Sequence, residues 1–214
     1  MLATHPDVIF TEALGPTDAT YMAEVKQLNN GTMLPFMGTS ATIDPVWFKA
    51  VTGAIGVPTV VAKFTAVDLG VSFSGPGYDE FKTNLDAVAS QFPAAPTYAQ
   101  RGATLHLYDG IMQAALAMDE TKSLDPTVYN SVIKDVGNGV GGSVTVNTYA
   151  TGVAAINKNE KVTWVGAGGA TNYNQYNNSQ QGYILVRYDA SGNEITIGTL
   201  SQTQTATIIA AGGG

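Results

Sequence analysis

The chain has 214 residues, of which 44% are hydrophobic and 13% are charged, with a formal net charge of −7 and no cysteine. Its charged fraction is about half of the roughly 25% that is typical of soluble domains, and only ten residues are lysine or arginine. Nucleic-acid binding, which needs clustered cations against phosphates, is therefore excluded. The absence of cysteine excludes disulfides and thiolate metal sites.

The sequence has neither a membrane-spanning run nor a signal peptide. No stretch of about 18 consecutive apolar residues occurs, and the start, "MLATHPDVIF", lacks the basic and apolar segments of a secretory signal. Without a signal at the start, the sequence predicts either a cytosolic protein or a chain whose true N-terminus lies elsewhere. Low charge with abundant Gly, Thr, Asn and Tyr favours an extracytoplasmic protein.

Three short apolar runs in the first third are predicted strands, at residues 6–10, 32–38 and 57–64. Apolar residues at helical spacing follow the turn at Gly15 and Pro16. The order β-α-β-α-β predicts parallel strands joined by helical crossovers.

Two further helices have N-terminal capping signals. Asp44 precedes Pro45 and Asp125 precedes Pro126, and a carboxylate at the N-cap before a proline is typical of a helix start. Residues 69–80, "LGVSFSGPGYDE", show no periodicity and are predicted to be a linker or hinge.

The middle of the chain is predicted to be helical and the end to be β-rich. Apolar spacing predicts helices over residues 77–92, 98–122, 126–137 and 148–159, the second of them apolar on most sides and therefore buried against a sheet. Near the end, "GYILVRYD" and "ITIGTL" are predicted to form a β-hairpin around the turn at residues 191–193. The last 14 residues have no strong signal.

The stretch "VTWVGAGGATNYNQYNNSQQG", residues 162–182, looks at first like a phosphate-binding loop. Gly166 and Gly168 fit the dinucleotide fingerprint, but Thr171 occupies its third glycine position and no helical pattern follows. It contains no carboxylate for Ca²⁺. We therefore expect a turn-rich loop without a nucleotide or metal.

Catalytic motifs are absent from the sequence. The two histidines are His5, near the start, and His106, which we expect to be a hydrogen-bonded, partly buried residue of the long helix. No metalloprotease, serine-hydrolase or cysteine nucleophile motif occurs. We expect no enzyme activity, no catalytic residue, no cofactor and no metal.

The carboxyl ends of the first two strands are the candidate ligand site. Ligands of open α/β sheets bind outside these ends, which here are followed by residues 12–15 and 39–42. The alternative is that Glu12 is an ordinary loop acid and that Ser40 and Thr42 are turn or cap residues.

The order of motifs along the chain resembles the later part of type I periplasmic solute-binding proteins, in the branched-chain amino acid receptor family of ABC importers. The motifs that carry this resemblance are "PDVIFTEALGPTDATYMAEVKQL", "LPFMGTSATIDPVWFKAV", "YDEFKTNLDAVASQF", "LYDGIMQAALAMDETKS" and "GYILVRYDASGNEITIGTL". The resemblance implies two α/β lobes with mostly parallel sheets, joined by three crossing segments, that close on a small ligand. It also implies a periplasmic or surface-anchored bacterial protein whose partner is a membrane permease.

Mapped on the family, residues 1–68 resemble part of the C-terminal lobe and residues 69–182 part of the N-terminal lobe. Residues 183–214 resemble the hairpin that returns to the C-terminal lobe, followed by a tail. The N-terminal βα series of the family is missing, so we expect a C-terminal portion, whether cloned, proteolytic or from a mis-started reading frame. Half-lobes would expose sheet edges, which self-association or pairing with the missing portion would cover.

On the hypothesis of a receptor, the ligand contacts at these carboxyl ends, from one lobe, are Glu12, Gly15, Thr39, Ser40 and Thr42. Family members commonly have an acidic residue for a ligand ammonium group where this chain has Ser40. A less polar or neutral polar ligand is therefore as plausible as an amino acid, unless Glu12 compensates. Two alternatives to a receptor are an assembly module that pairs through its open sheets and a small α/β enzyme, which the shortage of catalytic groups disfavours.

Overall fold

The structure is a computed structural model that describes residues 6–141 and 144–212, except for the side chain of Gln180. His5 lies outside the described residues. The chain divides into two compact units, one formed by Met1–Gly70 with Gly182–Ser201 and the other by Val71–Gln181 with Gln202–Gly214. It passes from one unit to the other after Gly70, after Gln181 and after Ser201.

The elements are numbered along the chain. The strands are β1 Ile9–Phe10, β2 Phe36–Gly38, β3 Phe64–Leu69, β4 Val144–Val146, β5 Val162–Gly166, β6 Gly169–Ala170, β7 Asn172–Tyr173, β8 Ser179–Gln180, β9 Tyr183–Tyr188 and β10 Glu194–Leu200. The helices are α1 Gly15–Leu28, α2 Pro45–Ile55, α3 Val57–Lys63, α4 Pro76–Ala87, α5 Gly102–Thr121, α6 Pro126–Asn138, α7 Tyr149–Ile156 and α8 Gln202–Ala211.

The first unit is built on a five-stranded mixed sheet in the order β1-β2-β3-β9-β10. Strands β1, β2 and β3 are parallel, with Ile9 opposite Phe36 and Phe36 opposite Phe64. Strand β9 runs antiparallel to β3, and β10 runs antiparallel to β9. The predicted parallel arrangement of the first three strands is confirmed, and so is the hairpin between residues 183 and 200.

The core of the first unit is aromatic. The rings of Phe36, Trp47, Phe64 and Tyr188 pack together, and the centroids of Trp47 and Phe64 are 4.5 Å apart. Trp47 belongs to helix α2. Asp44 stabilises the start of this helix as its N-cap, since its side chain accepts hydrogen bonds from the backbone N–H groups of Val46 and Trp47. The predicted Asp44–Pro45 helix start is thus confirmed.

The predicted third strand is wrong in its first seven residues. Val57–Lys63 form helix α3, and the strand begins only at Phe64. Pro58 accounts for the difference, because proline fits the first turn of a helix but cannot donate a hydrogen bond within a central strand. Gly56, with φ of +89°, makes the turn between α2 and α3.

The second unit packs helices around a small sheet. Strand β4 is parallel to β5, β6 is antiparallel to β5, and β7 and β8 form a separate short hairpin. Trp164, Leu116, Val136 and Val162 are fully buried at the centre of the unit. Asp125 caps α6 by accepting a hydrogen bond from the N–H of Thr127, as its Asp-Pro pair predicts.

Three helical predictions in the second unit need correction. Helix α4 ends at Ala87, before its predicted end at Phe92, which is 63% exposed. Pro93 disfavours helical backbone at Phe92 itself, so the helix does not extend to that residue. Helix α5 begins at Gly102, after a 3-10 segment at Ala95–Gln100. Its outer side is exposed, including Leu107 at 66%, so it is not buried on most sides.

The C-terminal residues, which had no strong sequence signal, form helix α8. Residues 202–214 group with the second unit rather than with the hairpin that precedes them. Within the described ranges, no single helix is long and apolar enough to cross a membrane. Helices α2 and α3 reach that length and composition only as a pair, and the break between them bends the pair by 112°.

Candidate functional site

The carboxyl ends of β1 and β2 bring two of the predicted site residues together. Glu12 lies two residues after β1, and Thr39 follows β2 directly. Because these strands are adjacent and parallel, both loops lie at the same edge of the sheet. The hydroxyl of Thr39 donates a hydrogen bond of 3.0 Å to Oε1 of Glu12.

In the turn after β2, one side-chain hydroxyl group is exposed and another is buried. Ser40 is exposed, whereas Thr42 is completely buried and donates a 2.7 Å hydrogen bond to the carbonyl of Thr39. The turn packs tightly, since a Cβ at Gly38 would lie 2.0 Å from the Thr42 hydroxyl. The Ser40 side chain is therefore open to solvent, and the Thr42 hydroxyl stabilises the turn.

Gly15 lies where helices α1 and α2 pack against each other. A Cβ atom at this position would lie 2.9 Å from the Cα of Trp47, so the glycine allows the start of α1 to approach α2 closely. Beside it, Asp18 is fully buried and accepts hydrogen bonds from the hydroxyl of Thr11 at 2.5 Å and from Trp47 Nε1 at 2.8 Å. The hydrogen bond from Thr11 to Asp18 of α1, which Trp47 of α2 also contacts, thus holds the loop after β1 in place.

Sequence reasoning missed Tyr188 as a support of this edge. Its hydroxyl donates to the carbonyl of Thr42 at 2.9 Å and accepts from the N–H of Asp44 at 2.8 Å. These contacts connect β9 with the loop between β2 and α2 across more than 140 residues of sequence. No local pattern could have revealed them.

The charge at this edge is negative. Glu12 is exposed, and among the residues that the structure describes it has the Thr39 hydroxyl as its hydrogen-bond partner and no ion-pair partner. A carboxylate with one oxygen held and the other open to solvent favours a ligand with an ammonium group or several hydroxyl groups. The sequence-predicted residues thus fall into two kinds: Glu12, Thr39 and Ser40 face outwards, and Gly15 and Thr42 are internal.

Two other concave regions contain none of the predicted site residues. An open depression of about 450 Å³ lies on α1 beside Tyr21 and Glu24. A smaller cavity of about 120 Å³ in the second unit lies between the start of α4 and the end of β5, where Ser72, Ser74 and Asn147 line it. In residues 6–141 and 144–212, no three His, Asp or Glu side chains are placed to hold a metal ion.

The glycine-rich stretch of residues 162–182 is a strand followed by short hairpins, with no helix after its glycines. The N–H groups of Ala167 and Gly168 both donate to the carboxylate of Asp109, at 2.7 Å each. These groups are therefore occupied from within the protein, and the rejection of a phosphate-binding loop stands on its geometry. Burial raises the pKa of Asp109, and the hydrogen bonds from Gly168, Ala167 and Trp164 act against that rise.

The fold is that of the type I periplasmic binding proteins. The chain superposes on a leucine-binding protein, LivK, from Thermotoga maritima with a TM-score of 0.55 and 13% identity over 94% of its length. It also superposes on a branched-chain amino acid transporter substrate-binding protein, LivJ, from Streptococcus pneumoniae in complex with isoleucine, with a TM-score of 0.50 and 12% identity over 91%. A third neighbour is a branched-chain amino acid ABC transporter protein from Thermus thermophilus with bound valine, with a TM-score of 0.51 and 9% identity over 96%.

These neighbours confirm the fold that the order of motifs predicts. The chain spans 46%, 44% and 49% of the three solved structures, which is under half the length of each. No protein-family model and no curated protein matches the sequence.

Proposed function

We propose that the chain is part of a non-enzymatic solute receptor that binds a small polar, amino-acid-like ligand and delivers it to an ABC importer. The observation that carries this proposal is the cluster of Glu12, Thr39 and Ser40 at the carboxyl edge of a type I binding-protein sheet. On this proposal, the protein works in the periplasm or at the outer surface of a bacterium, and a membrane permease is its partner.

We assign the ligand ammonium group to Glu12. Ser40 stands where the resemblance leads us to expect an acidic residue, and Thr39, the residue before it, donates a hydrogen bond to the Glu12 carboxylate. The loop after β1 thus supplies a carboxylate next to the position of the absent one. Two of the solved neighbours contain isoleucine and valine, which is consistent with a ligand that has an amino group.

We assign the first unit to the C-terminal lobe and the bulk of the second unit to the N-terminal lobe. On this assignment the chain crosses between lobes after Gly70, Gln181 and Ser201. Within the first unit, the N–H of Gly70 donates to the carbonyl of Gly182 at 2.9 Å, so the pairing of β3 with β9 continues to the residues where the chain leaves and re-enters this unit.

The position of β1 at the edge of its sheet supports a second function, pairing with another polypeptide. Val8 and Phe10 are 52% and 62% exposed, and β1 is an outer strand of its sheet. Such an edge accepts a further strand, either from another part of a longer polypeptide or from a second copy of the chain. Light scattering coupled to size exclusion separates the two, because a self-paired chain elutes at twice the mass of 22.3 kDa and a stable monomer contradicts obligate self-association.

The receptor function is tested on the polypeptide from its native source, by mass spectrometry of the small molecules that co-purify with it. We expect one predominant ligand with a primary amino group, which also raises the melting temperature when it is added back. The proposal fails if no small molecule co-purifies and if L-leucine, L-isoleucine, L-valine and the other free amino acids all leave the melting temperature unchanged.

A further inference from the structure

The face of α5 that meets the glycine-rich stretch is polar, although the helix is mainly apolar. His106, Asp109 and Gln113 lie at i, i+3 and i+7, so they share one face. Asp109 and Gln113 are almost fully buried. Buried polar side chains are as a rule hydrogen-bonded, so their partners identify what this face holds.

Three N–H donors converge on the carboxylate of Asp109. Its Oδ1 accepts from the backbone of Ala167 at 2.7 Å and from Trp164 Nε1 at 3.2 Å, and its Oδ2 accepts from the backbone of Gly168 at 2.7 Å. Successive backbone N–H groups that point into one concavity are how many proteins bind anions. The glycine cluster therefore does bind an anion, but the anion is a side chain of the protein.

Two of the glycines are required by this arrangement. A Cβ atom at Gly166 would lie 1.8 Å from Asp109 Oδ1, and one at Gly168 would lie 2.7 Å from His106 Cε1. A side chain at Gly166 would thus occupy the position of the carboxylate itself. The glycines therefore leave room for the Asp109 carboxylate to reach the backbone N–H groups of the loop. This role explains the glycine cluster without a bound nucleotide.

The rest of the stretch is held mainly by polar contacts with α5 and α6. Gln113 donates to the hydroxyl of Thr171 at 2.9 Å and accepts from the hydroxyl of Tyr173 at 2.6 Å. Asn138 pairs with the backbone N–H and carbonyl of Tyr173. Strands β6, β7 and β8 have two residues each, so sheet hydrogen bonds contribute little to the fixation of this segment.

We propose that Asp109 is an internal ligand that latches the segment from Trp164 to Gln181 onto helix α5. Its carboxylate fills an anion site formed by Trp164, Ala167 and Gly168, and this occupancy fixes the path along which the chain reaches Gln181 and leaves the second unit. The latch acts within the second unit alone and does not depend on a solute ligand or on Glu12.

The test replaces the internal anion by an external one. Asp109→Ala leaves the three donors facing a cavity of carboxylate size, and we expect a melting temperature at least about 5 °C below that of the wild type. Sodium formate should then restore at least half of the loss in a saturable manner. Sodium chloride at the same concentration should restore none of it.

Asp109→Asn is the matched control. It keeps the volume of the side chain but turns an NH₂ group towards one of the donors, so we expect a lower melting temperature that formate does not restore. The proposal is overturned if Asp109→Ala melts within about 1 °C of the wild type, or if formate shifts wild type, Asp109→Ala and Asp109→Asn equally.

Hydrogen exchange of the wild type gives a second measurement that does not require a folded variant. We expect the amides of Ala167 and Gly168 to exchange at least about 100-fold more slowly than in an unstructured chain. Protection of less than about tenfold at both amides would overturn the latch.

Discussion

Asp18 and Asp109 are buried carboxylates that each accept a hydrogen bond from a tryptophan ring nitrogen, one in each unit. Asp18 bonds to side-chain donors on both sides, whereas Asp109 also bonds to two backbone N–H groups. Residue types alone identify neither, because acids in helices are usually solvated. Only the folded structure, in which Trp47 and Trp164 lie beside these two acids, shows that they are buried and hydrogen-bonded.

The glycine at the candidate edge gives a prediction with an internal control. Gly15→Ala places a methyl group 2.9 Å from the Cα of Trp47, so we expect a loss of about 1–3 kcal/mol in the free energy of unfolding. Gly53→Ala, on the exposed side of α2 with open space around it, should gain about 0.5–1 kcal/mol. Chemical denaturation of both variants measures the difference, and equal effects would contradict the close approach of α1 to α2.

His106 gives a prediction for pH dependence. Burial lowers its pKa below the ordinary value of 6.5, so the unfolded chain takes up a proton at a higher pH than the folded protein does. Stability from this group is therefore complete above about pH 6.5 and is lost as the pH falls through that value towards the folded pKa.

Melting curves between pH 5 and pH 7.5 check this assignment. The wild type should lose more stability on acidification than His106→Gln, in which the titrating ring is absent. The Asp109 carboxyl, whose raised pKa gives the opposite slope, is present in both proteins and cancels in the difference. Identical pH profiles for the two proteins would show that His106 is not buried in solution.

At the scale of elements, capping signals and the order of strands and helices are the most reliable guides, whereas the predicted strand bounds are less so, since β1 and β2 cover only the last residues of their apolar runs. The Asp-Pro pairs at residues 44 and 125 marked helix starts correctly, and the alternation of strands and helices predicted the parallel sheet. These signals are local, so one sequence is enough to reveal them. Of the site, the meeting of Glu12 with Thr39 followed from the topology, but the support from Tyr188 did not.

Helix α3 shows where local signals fail. The run "VPTVVAKF" is rich in β-branched residues, which favour strands, yet its first seven residues are helical. Thr59 is partly buried on this helix, whereas Thr65 lies in the central strand β3. The two threonines therefore distinguish the two conformations.

We expect Thr59→Ala to raise the free energy of unfolding by about 0.5 kcal/mol, because alanine is the better helix former. Thr65→Ala should lower it by up to about 1 kcal/mol, because β-branched residues favour strands and Thr65 accepts a hydrogen bond from Arg187. Equilibrium unfolding in urea measures both variants. A loss of stability in Thr59→Ala would argue that residues 57–63 are extended after all.

At the scale of the whole molecule, the chain has the fold of the type I periplasmic binding proteins and spans less than half of the length of its solved neighbours. The order of the sequence motifs predicts this fold, even though the sequence identity between the chain and those structures is only 9–13%. Hydrophobic patterning persists where individual residues change, which is why the fold could be predicted. The proposed ligand contacts rest on a few side chains such as Glu12 and Ser40, and the choice of ligand by such side chains is not revealed by patterning.

In the receptor that we propose, Glu12 receives the ammonium group of a small ligand. The most direct test of this contact is isothermal titration of the co-purifying amino acid, and of the 2-oxo acid with the same side chain, into the native polypeptide and into its Glu12→Gln and Glu160→Gln variants. Our account predicts that Glu12→Gln weakens amino-acid binding at least about tenfold, in line with the loss of one charge-assisted hydrogen bond. Glu160→Gln, the same change at an exposed site in the second unit, should bind like the wild type, and the 2-oxo acid should bind all three weakly and alike. Equal amino-acid affinity in Glu12→Gln and the wild type would contradict the account.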